Sequence, residues 1–205
     1  MYNNEQLVRV RTFVMHHTFL TIIPEFQLGL LNAWVGTFTV MLMPYLFRGI
    51  LGRERHSSIT RAEDYNTKEK KIVDYTMAAY YLAVFYSIVV PLKIGSDAFI
   101  AGTVIYILAL IGLVMTYLSF YTVPPGALVS KGIYRISRNP FYFFTCIAYL
   151  GIGIASLSWL LLLLTIVFIV LQHRVVLAEE RICEVNFGKK YLEYKKKTPR
   201  YFLFF

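Results

Sequence analysis

Four long apolar blocks constrain this chain more tightly than any motif in it. They cover residues 22–47, 72–91, 98–121 and 141–171, and a membrane span needs roughly 20 mostly apolar residues. The last block is too long for one crossing. As a single helix rising about 1.5 Å per residue it would exceed 40 Å, against a hydrocarbon core of about 30 Å. Its middle carries Gly151, Gly153, Ser156 and Ser158, small residues suited to a tight turn or a close helix crossing. The block therefore divides into two antiparallel helices, at about 141–155 and 158–173. The expected fold is all-α: a polytopic membrane protein of about five transmembrane helices, with a C-terminal helical hairpin and a cytosolic tail helix.

Composition supports that class. Of 205 residues, 57% are hydrophobic and 16% charged, where soluble domains run at about 45–50% and 25%. A disordered chain, a disulfide scaffold and an ordinary cytosolic enzyme are excluded. The net charge of +9 comes from 21 Lys and Arg against 12 Asp and Glu. In a membrane chain that excess belongs at cytoplasmic flanks beside anionic lipid rather than on nucleic acid. With five spans, one side receives residues 48–71, 122–140 and the tail from Arg174, which together hold nearly all the basic residues. The other side keeps Arg9, Arg11 and Lys93. This predicts an external N-terminus and a cytoplasmic C-terminus. Residues 1–17 lack a signal-peptide pattern, and Leu7, Val8, Val10, Phe13 and Val14 suit one side of an interfacial helix.

Two polar groups beside the apolar blocks can carry chemistry. The first is the loop from Pro124 to Tyr142, where two prolines and two glycines forbid a continuous helix. Pro140 suits the first turn of the following helix, with Asn139 as its N-cap. The second follows the last apolar block and contains Arg174, Glu179 and Glu180. There the helical pattern runs out of the membrane until Gly188 ends it. A carboxylate so placed needs solvent or a partner, and can hold a ligand cation. A connecting loop with basic anchors and a salt-bridged helix end are the plainer readings. Gly151 and Gly153 follow no strand, so they form no dinucleotide fingerprint. His16, His17, His56 and His173 lack metal-ligand spacing. Cys146 and Cys183 read as free thiols, and no metal is expected.

In this order, and separated by a hairpin, the two groups resemble the isoprenylcysteine carboxyl methyltransferase family, whose relatives are phospholipid N-methyltransferases. The matching elements are Leu128 and Val129, Gly132-Ile-Tyr134, Arg138-Asn139-Pro140-Phe-Tyr142, the pair Glu179 and Glu180, and Phe187-Gly-Lys-Lys-Tyr191-Leu-Glu-Tyr194. In that family a basic residue follows near the end. Residues 122–205 would then form the cofactor-binding loop, hairpin and catalytic tail, and residues 1–121 the interfacial segment and three spans. Asn139 stands where the family usually has histidine; it can hydrogen-bond but cannot act as a base.

The resemblance implies S-adenosylmethionine, contacted by Leu128, Val129, Tyr134, Arg138, Asn139, Pro140, Tyr142, Glu179 and Glu180. Either glutamate can pair with its ammonium, and Arg138 or loop amides with its carboxylate. Tyr134 and Tyr142 can face the sulfonium or the adenine. Arg174 and Glu179 are the catalytic candidates, with Arg174 steering an acidic acceptor. The expected acceptor is lipophilic, reached from the bilayer, and carboxyl O-methylation of an isoprenylcysteine-like group is one form of the reaction. The rivals are a sterol-reductase-like membrane enzyme using NADPH and a small transporter or lipid-binding membrane protein.

Overall fold

A computed structural model of the protein describes residues 26–51, 62–124 and 126–202. The described residues hold six α-helices and no strand: α1 Trp34–Leu51, α2 Thr67–Ser87, α3 Asp97–Tyr121, α4 Pro140–Ser156, α5 Trp159–Phe187 and α6 Lys189–Lys197. Two short 3-10 turns, Ala62–Asp64 and Gly132–Arg135, precede α2 and α4. The expected interfacial helix at residues 1–17 lies outside the described residues.

Local chemistry sets most helix ends. At the start of α2, Asn66 Oδ1 accepts from the Lys68 and Glu69 amides, and Glu69 returns a carboxylate oxygen to the Asn66 amide, a reciprocal capping box. Ser96 and Ser158 cap α3 and α5 by accepting from the amides of Phe99 and Leu161. The hairpin turns where the small residues end: Leu157 takes a left-handed conformation at φ 52° between α4 and α5. As expected, Gly188, also at positive φ, closes α5.

α1, α3 and α5 are long and apolar enough to cross a membrane. Two of the five expected spans are shorter by this measure. The segment at 72–91 corresponds to α2, whose charged residues reach Asp74; the 13 residues from Tyr75 to Ser87 rise only about 20 Å. α4, an apolar helix of 17 residues, rises about 25 Å. α5 carries on past the membrane part expected at 158–173, as the pattern up to Gly188 requires, and runs unbroken for 29 residues. The first span also starts later than expected, at Trp34. Residues 26–33 are tied instead to the end of α2, where Gln27 and Ala33 amides donate to Val89 and Val90 carbonyls. The buried Asn32 amide donates to the carbonyls of Gln27 and Ile88.

Packing centres on α4. Its contact with α3 is the most extensive between any two helices, followed by that of α2 with α5. Small residues make the first contact possible: a Cβ on Gly102 would sit 2.4 Å from the Ala155 nitrogen and 2.5 Å from the Gly151 oxygen. With lipid as solvent, such backbone proximity is how helices gain van der Waals contact. Val40, Met43, Val84, Leu113 and Tyr149 form the buried core beside it. The hairpin thus draws the start of α4 and the far end of α5 to the same end of the bundle, where the loop after α3 also lies.

Candidate functional site

The loop between α3 and α4 is shaped by one glycine. Gly132 adopts φ 59°, and a Cβ there would lie 2.2 Å from Ser119 Oγ. With no side chain in the way, the Ile133 amide donates to that same hydroxyl. The loop is thereby pinned to α3, with Leu128 and Val129 buried and Tyr134 turned toward the bundle. Pro140 occupies the first turn of α4 as expected, but Asn139 does not cap with its side chain. Its Nδ2 donates 2.9 Å to Glu180 Oε1 instead. A charged acceptor across the bundle outcompetes the helix's own amides.

Glu180 is the hub of this tie. Its carboxylate, 4% exposed, faces Arg138 Nε at 3.1 Å and Arg200 Nη2 at 3.0 Å. Arg138 donates further to the carbonyls of Lys195 and Thr198. The Arg138 and Asn139 amides bond the Pro199 and Arg200 carbonyls, at 2.9 and 3.2 Å, and Ser137 Oγ donates to the latter. Beyond that point Tyr201 meets His173, and the Phe202 ring packs on Phe143 and Phe144. The tail straps the loop to α4 and α5. Hydrogen bonding to Glu180 raises the Arg200 pKa still further, so the guanidinium is permanently charged.

Glu179, the neighbouring residue, does something different. Successive helical residues point about 100° apart, so Glu179 leaves the arginines behind. Tyr142 Oη donates to its Oε1 at 2.6 Å and Tyr65 Oη donates to the same oxygen at 3.0 Å. Glu179 Oε2 has no hydrogen-bond partner among the described residues. This carboxylate opens on a cavity of about 380 Å³, the size of a small-molecule site.

The walls of the cavity come from five of the six helices and the loop. Eight residues expected from the sequence line it: Leu128, Val129, Tyr134, Arg138, Asn139, Tyr142, Glu179 and Glu180. Pro140 is buried behind them, and Arg174 is exposed and not part of the lining. Tyr191 and Tyr194 of α6 also face the cavity, and Tyr194 Oη donates to the Tyr134 carbonyl. Burial pushes both phenols above their ordinary range, so they stay neutral donors. An apolar part is supplied by Pro44 of α1 and by Tyr117, Phe120 and Tyr121 of α3. There Phe47 stacks on Tyr117 at 4.7 Å and Phe141 meets it edge-on.

Sequence reasoning missed Tyr65, Arg200 and the aromatic wall. Arg200 had a signal, since it is a basic residue near the end of the matching pattern. Tyr65 had none: 114 positions separate it from Glu179.

Apolar helices of bilayer length, closed at one end around a cavity that is acidic on one side and aromatic on the other, define a helical membrane protein with a small-molecule site. Residues 92–190 match the model of the phospholipid methyltransferase family. The matched family is one of membrane methyltransferases and falls in the same group as the isoprenylcysteine carboxyl methyltransferases. No curated protein and no solved structure matches the chain at significant similarity. The match spans α3, the loop, α4 and α5; Tyr65, Tyr191, Tyr194 and Arg200 lie outside it.

Proposed function

We propose that the protein is an integral-membrane methyltransferase that uses S-adenosylmethionine and acts on a lipophilic acceptor. One observation carries the reading: a half-buried carboxylate, Glu179, has one oxygen held by two phenols and the other without a hydrogen-bond partner among the described residues, in a cavity lined largely by the family-matched region. That oxygen suits the cofactor's ammonium. When bound, the cofactor supplies an electrophilic methyl group on a sulfonium. Tyr134, Tyr191 and Tyr194 offer ring faces for the sulfonium or the adenine, and the half-enclosed, aromatic-lined cavity leaves a bound cofactor little room for water around the transferring methyl. The residues present fit this group.

Glu179, not Glu180, is the ammonium partner, because Glu180 is spent on Arg138, Arg200 and Asn139. For the same reason Arg138 organises the loop instead of holding the cofactor's carboxylate, a task left to loop amides. This bears on the acceptor. Arg138 is the one cation in the described lining and is already paired, while Arg174 stands outside. An anionic acceptor therefore meets no uncommitted positive charge. The better fit is a lipid amine in its neutral form, with its tail against Pro44, Tyr117 and Phe120. The segments preceding α2, between α3 and α4, and after α5 converge around Glu179 and Glu180. Their basic residues support a cytoplasmic mouth and C-terminus.

Radiolabelled methyl transfer from S-adenosylmethionine in membranes containing the protein tests the reading. The expected product is base-stable, as an N-methyl group is; a base-labile product would reassign the acceptor to a carboxylate. Binding of NADPH without binding of S-adenosylmethionine would overturn the methyltransferase reading in favour of a reductase. Binding of neither would leave a transporter or lipid-binding protein.

A further inference from the structure

We propose that Tyr65, on the segment between α1 and α2, is a positioning residue of the cofactor site: its phenol holds the Glu179 carboxylate in place and favours its charged form. The inference rests on the reading of Glu179 as the cofactor's ammonium partner, and it adds to the site a region outside the family-matched stretch.

Tyr65 is delivered to α5 by a clamp on either side of it in sequence. Arg181, two residues beyond Glu179, bonds both oxygens of Glu69, at 2.8 and 2.6 Å, and donates to the Asp64 carbonyl at 3.0 Å. Glu69 is itself held by the capping box with Asn66. Tyr65 lies between Asp64 and Asn66, so the start of α2 is docked on α5 just where its phenol reaches Glu179. The clamp is partly exposed, with Arg181 44% accessible. A single exposed ion pair is weak; here a bidentate pair, a backbone bond and a helix cap share two side chains.

The charged groups around Glu179 explain why the contact matters. From α4 comes Tyr142, and from the segment before α2 comes Tyr65, both donating to Oε1. On α5 itself, Glu180 and Cys183 flank it, the former neutralised by Arg138 and Arg200. Tyr134 lines the same cavity. No cation is aimed at Glu179 among the described residues, so the two phenols are the interactions that favour its ionised form. Burial alone favours the neutral acid, and hydrogen bonds to the anion oppose that. Both phenols choose the same oxygen, which leaves Oε2 of this cavity-lining residue without a hydrogen-bond partner among the described residues.

The test is equilibrium binding of S-adenosylmethionine to the full-length protein in nanodiscs across pH 4–8, for wild type, Tyr65→Phe and Arg181→Gln. Removing a donor to the anion raises the pH at which the carboxyl protonates. Binding by Tyr65→Phe should therefore weaken about tenfold at neutral pH, the scale of one hydrogen bond to a charged group. Its acid limb should move upward by about one pH unit. Arg181→Gln, which unseats the segment without touching the phenol, should shift the limb in the same direction. Thermal unfolding, run in parallel, identifies any variant that merely loses stability. A Tyr65→Phe protein with lower melting temperature but an unmoved acid limb overturns the assignment while leaving the functional reading intact. No binding by wild type at any pH overturns both.

Discussion

Two glutamates side by side divide the labour of the site. Glu180 carries two arginines and an asparagine, and so holds loop, helix and tail together. Glu179 carries two phenols on one oxygen and lines the cavity. Their amides should thus fail differently. Glu180→Gln leaves the nearly inaccessible Arg138 without its counter-charge, and breaking one side of a buried pair costs about 3–5 kcal/mol. The variant should lose that much in chemical unfolding, with affinity falling only as a consequence. Glu179→Gln should unfold near the wild-type midpoint yet bind S-adenosylmethionine at least tenfold more weakly. If the two variants behave alike, the division is wrong. The sequence shows the pair and its chemistry, but which glutamate faces which partner depends on the helix azimuth, fixed by packing along the whole of α5.

At the scale of elements, the contact between α3 and α4 sets how far the loop between them can open. Gly102 and Gly151 allow backbone against backbone, and a new Cβ at 102 strikes main-chain atoms that no rotamer change can move. Gly102→Val should abolish accumulation of folded protein, measured as the monodisperse fraction after detergent extraction. Gly49, in the exposed last turns of α1, has nothing within 4 Å of a Cβ. Gly49→Ala should raise stability by about 0.5–1 kcal/mol through helix propensity alone. Such punctuation is what can be read along a chain: the small-residue break before α5, Pro140 at the start of α4 and Gly188 at the end of α5. Where expectation failed, a longer-range interaction competed. Asn139 forsakes its cap for a carboxylate in another helix, and the entry of the chain into α1 is delayed by pairing with the end of α2. α2 shows apolar character from Ile72 onward, but Asp74, two residues further on, interrupts and shortens the apolar stretch.

For the molecule as a whole, the tail closes the structure it follows. Two main-chain bonds, the Arg200 guanidinium, the Tyr201 hydroxyl and the Phe202 ring all join it to segments far back in sequence. A chain ending at Thr198 should keep its helices by circular dichroism. It should also show faster hydrogen exchange at Arg138 and Asn139 and weaker binding of S-adenosylmethionine. Unchanged exchange at both amides would mean the strap is ornamental. The unbroken course of α5 has a separate consequence. Glu179 stands 20 residues from Trp159, or about 30 Å along one rigid rod. A rock of about 5° about the Trp159 end of that rod swings the carboxylate sideways by about 2.6 Å, close to the length of a hydrogen bond. Bilayer thickness, which governs how such a rod leans, is thereby wired to the aim of a single oxygen atom.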